Sequence, residues 1–185
     1  MRIFLTMKHW QLFVLLIGIP LVVELTAFGY LIIHGDSFFF FYFFYSLLFV
    51  FMGLFFAWFY SLGTNLHKRL PAIAPMSLTT FKLFLFIPIG YFVCIFLFVF
   101  LIPGMLPSLG PLIFLLIVPI HIFSMFCLFY CLNFITKALK TAECQRPTTF
   151  GDYAGDFFLL WFYPVGIWFI QPRINKLFNP APAQL

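Results

Sequence analysis

Long runs of apolar residues alternate with short polar segments along this chain. A helix that crosses a bilayer needs about 20 consecutive apolar residues, and four runs meet that requirement. They cover residues 10–33, 38–62, 81–102 and 112–135. The pattern therefore predicts an all-α, polytopic membrane protein, with a bundle of four transmembrane helices in residues 1–136.

A fifth apolar run, residues 157–170, differs from the other four in length. Its 14 residues carry no charge and include Pro164 and Gly166, but a spanning helix needs at least about 17 residues. Spanning would also place Arg173 and Lys176 on the opposite side from the other basic residues. We therefore predict that residues 137–185 form a cytoplasmic, membrane-associated segment containing an interfacial or re-entrant helical hairpin.

Local sequence motifs predict where this hairpin begins and where its helix is interrupted. The tetrad Thr149-Phe150-Gly151-Asp152 has the spacing of a capping box, in which the N-cap and third helical residue satisfy each other's backbone. A proline in the interior of a helix kinks or breaks it. The segment should therefore start a helix near Phe150, break before Pro164 and continue as a second short helix to about residue 177.

Composition narrows the class of protein. The 185-residue chain is 64% hydrophobic and 8% charged, whereas soluble domains are roughly 45–50% apolar and about 25% charged. A soluble globule and a disordered chain are both excluded. No run of Lys and Arg suggests nucleic-acid binding. The expected partners are the lipid bilayer and, within it, other membrane proteins or further copies of the chain.

The placement of the basic residues predicts orientation. None of the ten lies in the first connection, residues 34–37, or in the third, residues 103–111. They occupy the segment before the first span, the second connection and its edge, and the segment after the fourth span: Arg2, Lys8, Lys68, Arg69, Lys82, Lys137, Lys140, Arg146, Arg173 and Lys176. Because Lys and Arg accumulate in cytoplasmic loops, both termini should be cytoplasmic.

Several short motifs resemble one family. They are Lys8-His9-Trp10-Gln11, Gly63-Thr64-Asn65-Leu66-His67, Gln145-Arg146-Pro147, Phe157 to Trp161, Pro164-Val165-Gly166-Ile167-Trp168 and Gln171-Pro172-Arg173-Ile174-Asn175. Together they resemble small multispan proteins of Bacteroidota and touch most of the chain. The resemblance implies a multi-pass protein of the bacterial inner membrane. It brings no activity and no catalytic residue with it.

Two ionisable residues fall inside predicted spans. Glu24 lies nine residues from the outer end of the first span, and His121 lies nine residues from the outer end of the fourth. Ionisable groups at membrane depth are costly and often functional. Their equal depth permits a contact if the two helices are neighbours, either as a proton or cation site or as a structural hydrogen bond. We expect Glu24 to be protonated at pH 7.

At the cytoplasmic face the candidate residues are Asp152, Asp156 and Arg173. The two carboxylates are four residues apart and share one helix face. Such a pair can bind a cation or perform acid–base chemistry, or it can serve the positive N-terminus of the helix. The second use is the commoner one.

No catalytic, cofactor-binding or metal-ligating residue can be assigned. The chain contains neither G-x-S-x-G nor H-E-x-x-H, and no glycine loop suited to phosphate. We therefore expect a non-enzymatic structural or accessory subunit of a membrane assembly, with no cofactor. The alternatives are a small proton-coupled transporter that uses Glu24, and a lipid-modifying enzyme that uses Asp152, Asp156 and His67.

Overall fold

The computed structural model describes residues 3–101 and 106–179, with side chains throughout except at 99, 101 and 106–114. These residues form helices and connections and contain no strand. Four helices are long and apolar enough to cross a membrane: His9–His34, Ser37–His67, Leu78–Phe98 and Leu115–Cys144. The predicted all-α architecture with four membrane-spanning helices is confirmed.

The helices follow the chain in a simple order. A short helix α1, Ile3–Thr6, precedes the first spanning helix, which consists of α2, a π-helical turn and α3. The bounds of the elements are α2 His9–Phe13, the turn Val14–Gly18, α3 Ile19–His34, α4 Ser37–His67, α5 Leu78–Leu101, α6 Leu106–Cys144, α7 Phe150–Trp161 and α8 Tyr163–Phe178. Pro20 lies two residues after the π-helical turn, as the second residue of α3, and its missing N–H interrupts the regular α-helical hydrogen bonds.

Two spanning helices continue beyond the apolar runs that predicted them. Helix α4 reaches His67 and α6 reaches Cys144, although the apolar runs end at residues 62 and 135. Polar side chains near these ends bond to their own helix: the Thr64 hydroxyl donates to the Tyr60 carbonyl at 2.6 Å, and the Thr136 hydroxyl donates to the Leu132 carbonyl at 2.9 Å. The thickness of the bilayer therefore sets the length of the apolar run, but the helix itself can be longer.

The third connection is shorter than its three prolines suggested. Helix α6 begins at Leu106, six residues before the predicted start of the span, and residues 102–105 lie outside the described residues. Pro107 is the second residue of α6. A proline is tolerated there because the first turn of a helix has no use for its missing N–H.

The buried core is concentrated at one end of the bundle. We call this the basic end; it comprises α1, the connection 68–77, the last turns of α6, and α7 with α8. All nine basic residues that the structure describes lie toward it. Its core joins residues of every long helix except α3, including Leu12, Phe59, Phe81, Ile135 and Ile174. At the opposite end, none of the described residues 28–55 around the Gly35–Asp36 turn is buried.

A close approach of α4 and α5 sets the geometry of this core. Phe81 of α5 is fully buried and stacks on Phe134 of α6 with ring centroids 4.6 Å apart. A Cβ atom at Gly63 of α4 would overlap the Phe81 ring. The glycine therefore brings three helices together around one aromatic side chain.

Helices α7 and α8 form the predicted C-terminal hairpin. Helix α7 begins at Phe150, and the break lies at Phe162, so Pro164 occupies the first turn of α8, where proline fits. At the tip, the Tyr163 ring lies 5.2 Å from the ring of Phe55. Phe55 is about 18 Å from the last residue of α4, at about 1.5 Å per residue. The tip therefore reaches well inside the bundle.

Candidate functional site

A three-residue ion cluster joins the last turns of α6 to both helices of the C-terminal hairpin. The Arg173 guanidinium donates to both carboxylate oxygens of Glu143, at 2.7 and 2.6 Å, and to both of Asp156, one of them at 2.8 Å. The side chains are 28%, 23% and 12% exposed for Arg173, Glu143 and Asp156. Such paired, bidentate contacts are the strong form of charge-assisted hydrogen bond.

The cluster ties together elements that are distant in the sequence. Its three members come from α6, α7 and α8, so the hairpin is fixed to the end of the fourth spanning helix. Hydrogen bonds from the guanidinium to Glu143 and Asp156 raise the pKa of Arg173 above its ordinary value. The two carboxylates outnumber the one cation, so the cluster carries a formal charge of −1.

Asp152 serves the start of α7. Its carboxylate accepts from the backbone N–H of Thr149 at 2.8 Å and from the Thr149 hydroxyl at 2.9 Å. Arg146 contributes a salt bridge at 3.2 Å. The Thr149 hydrogen bonds, and then the Arg146 charge, lower the pKa of Asp152. The ionised Asp152 carboxylate therefore stabilises the fold at neutral pH, and this contribution is lost as the pH falls through the lowered pKa of Asp152.

A second polar contact holds the N-terminal helix against α8. The buried Gln171 amide donates to the backbone carbonyls of Phe4 and Met7, at 2.7 and 3.0 Å, and Asn175 also donates to Met7 at 3.0 Å. The Phe4 carbonyl lies in α1 and the Met7 carbonyl directly after it, where no further helical turn supplies a partner. His9 packs on Trp168 beside them, with ring centroids 4.8 Å apart.

The two intramembrane candidates do not meet. Helix α3, which carries Glu24, packs mainly against α4, whereas α6, which carries His121, packs against α4, α5 and α7. His121 shares a hydrogen bond of 3.1 Å with the hydroxyl of Tyr91 on α5. Within the described part of the chain, Glu24 forms no hydrogen bond and no ion pair. Glu24 and His121 lie at equal depths in the sequence pattern, but α3 and α6 are not packed against each other at these residues.

The remaining polar candidates are engaged in separate contacts. The Nε2–H of His67 donates to the Met76 carbonyl at 2.8 Å, away from both aspartates, which bond to Arg146 and Arg173. Over residues 3–101 and 106–179, no group of three or more His, Cys, Asp or Glu side chains is arranged to hold a metal ion.

No family model, curated protein or solved structure matches this chain.

Sequence reasoning named Asp156 and Arg173 but did not connect them, and it missed Glu143 and Gln171. A usable signal for the cluster was present, because three of the five acidic residues lie between positions 143 and 156, beside the last basic residues. No comparable signal existed for Gln171. Its partners are backbone carbonyls 164 and 167 positions away, and any residue type supplies a carbonyl.

Proposed function

We propose that this protein is a non-enzymatic accessory subunit of a membrane assembly, and that it binds a partner chain through α3 and the adjoining half of α4. The observation that carries the proposal is Glu24. It is an ionisable residue without a partner in the described structure, on a spanning helix that packs mainly against one neighbour. In membranes, polar side chains at helix surfaces are a common means of helix association.

The surface around Glu24 is broad and apolar. Only Ala27 is buried in α3, and α4 has no buried residue before Phe56. The large exposed side chains of these two segments include Leu21, Val22, Leu25, Phe28, Ile32 and Ile33 of α3, and Phe38, Phe39, Phe41, Leu48, Phe49 and Val50 of α4. A partner that packs here would bring a hydrogen-bonding side chain to Glu24, since an unpaired carboxyl in hydrocarbon is costly.

Site-specific photo-crosslinking in native membranes tests this proposal. A photo-reactive residue at Leu25, which is 62% exposed on α3, should crosslink to a protein. The same residue at Leu83, which is 59% exposed near the basic end of α5, serves as the matched control. Protein adducts at Leu25 and lipid adducts at Leu83 are expected. Lipid adducts alone at both positions would contradict the proposal.

The unpartnered carboxyl also favours a second candidate function, proton-coupled transport, and one pair of substitutions separates the two. If Glu24 only donates a hydrogen bond to a partner, Glu24→Gln should retain the copurified partner and Glu24→Leu should lose it. A buried interhelical hydrogen bond of this kind is worth around 0.6 kcal/mol on average, so Glu24→Leu should weaken the complex about threefold or more. Transport that is proton-dependent and lost in Glu24→Gln would instead support the transporter.

We further propose the bacterial inner membrane as the location, with the basic end in the cytoplasm. The positive-inside rule supports this orientation, because the described basic residues lie toward one end. Ser37 and Ser77 are exposed residues at opposite ends. In a variant without native cysteines, a membrane-impermeant thiol reagent applied from outside should label Ser37→Cys and leave Ser77→Cys unlabelled. The reverse pattern would invert the topology.

A further inference from the structure

A cavity of about 280 Å³ lies at the basic end, where three segments distant in the sequence converge. Leu5 and Thr6 of α1 form one wall. The end of α4 and the residues after it contribute Asn65, Lys68 and Arg69, and Asn179 follows the end of α8. We call this cavity the basic pocket. Its volume is slightly below the roughly 300–1,000 Å³ of sites for drug-sized ligands, so it suits a small polar group.

The charges of the basic pocket are not neutralised within the described residues. Arg146 and Arg173 both pair with acidic side chains, whereas Lys68 and Arg69 form no ion pair in the ranges that the structure describes. The helix ends at the pocket, those of α4 and α8, carry about half a negative charge each. The two full positive charges of Lys68 and Arg69 exceed the combined partial negative charge of these helix ends, so the basic pocket has a net positive charge.

One of the two cations is held in place. The guanidinium carbon of Arg69 lies 5.3 Å from the ring centroid of Phe178, which also lines the pocket. This cation–π contact positions the side chain at the pocket wall. None of the guanidinium N–H groups is used in a hydrogen bond to a described residue, so a fork of donors that matches phosphate geometry is available.

The depth of the basic pocket also points to a class of ligand. Thr6 lies three residues before His9, where the first spanning helix begins, and this places the pocket close to the level of lipid headgroups. Basic pockets between helices on the cytoplasmic side bind anionic headgroups. We propose that the basic pocket binds a phosphate group, presented by an anionic phospholipid or by a soluble phosphate.

Lipid binding to the purified full-length protein tests this site. Short-chain phosphatidylglycerol is titrated into the protein in neutral detergent, and bound lipid is counted by native mass spectrometry. The double variant Lys68→Gln/Arg69→Gln should weaken binding about 30-fold, at roughly fivefold for each basic residue. The control Lys140→Gln/Lys176→Gln removes the same charge outside the pocket, and screening should limit its effect to about threefold.

Inorganic phosphate distinguishes the two sources of the ligand. Competition by millimolar phosphate would show that a soluble anion suffices, whereas lipid binding without such competition would assign the pocket to a headgroup. Equal losses in the pocket and control variants, or no saturable binding, would overturn the proposal. If the double variant does not fold, Lys68→Gln should show a selective loss of binding of about fivefold. Arg69→Lys keeps the charge but loses the donor fork, so it should show a smaller selective loss.

Discussion

Replacing Arg173 with methionine should release the C-terminal hairpin from α6 and lower the free energy of unfolding by about 3–5 kcal/mol. This range is typical when one partner of a largely buried ion pair is removed. Glu143 and Asp156 would remain close together, each having lost its cation. The loss can be measured by unfolding in mixed detergent micelles, and by new protease cleavage in residues 145–149, which connect α6 to α7.

Lys176→Met is the matched control for this substitution. Lys176 lies on the same helix and is exposed, and it forms no ion pair within the described residues, so its loss should change the stability by less than about 0.5 kcal/mol. A further variant tests the mechanism. In a Glu143→Gln/Asp156→Asn background, Arg173→Met should cost much less than in the wild type, because the coupling has already been removed. Equal effects of Arg173→Met and Lys176→Met would contradict the expectation.

Gly166→Ala should open the contact between α7 and α8. A Cβ atom at this position would overlap the carbonyl oxygen of Leu159. Because that atom belongs to the backbone of the partner helix, no side-chain rotation can relieve the clash. Overpacking typically costs about 1–3 kcal/mol, and we expect a loss at or above the upper limit, measured as a lower free energy of unfolding.

Gly155→Ala provides a control of opposite sign. Gly155 lies inside α7 with no atom within 4 Å of its would-be Cβ. An alanine inside a helix is more favourable than a glycine by roughly 0.5–1 kcal/mol, so this variant should be slightly more stable than the wild type. If Gly166→Ala were also neutral or stabilising, α7 and α8 would not pack as closely as described.

The sequence predicted local features better than contacts between helices. Hydropathy located the four spans, because the bilayer imposes a length that apolar residues must fill. The capping residues of α7 were also predictable, since Thr149 and Asp152 interact within one turn. The C-terminal ends of α4 and α6 were not predictable in this way. Their last turns are polar helix outside the bilayer, and an apolar run gives no information about such turns.

A contact between two helices requires that they be neighbours in the bundle. The depth of a residue along its own span does not show which helices are neighbours. Glu24 and His121 have matching depths, yet α3 and α6 are not packed together, and Tyr91 is the partner of His121. Glu143 was missed for the same reason, since its partner Arg173 lies 30 positions away. Gly166 was noted only as part of the fifth apolar run, whereas its role is to allow close contact with Leu159.

The amide contacts of Gln171 impose an order on biosynthesis. Met7 is translated 164 positions before Gln171, which at about 5–20 residues per second is a delay of roughly 8–30 s. All four spanning helices are translated during that interval. The N-terminal helix must therefore wait, with the carbonyls of Phe4 and Met7 still hydrated, until translation of α8 supplies their partner.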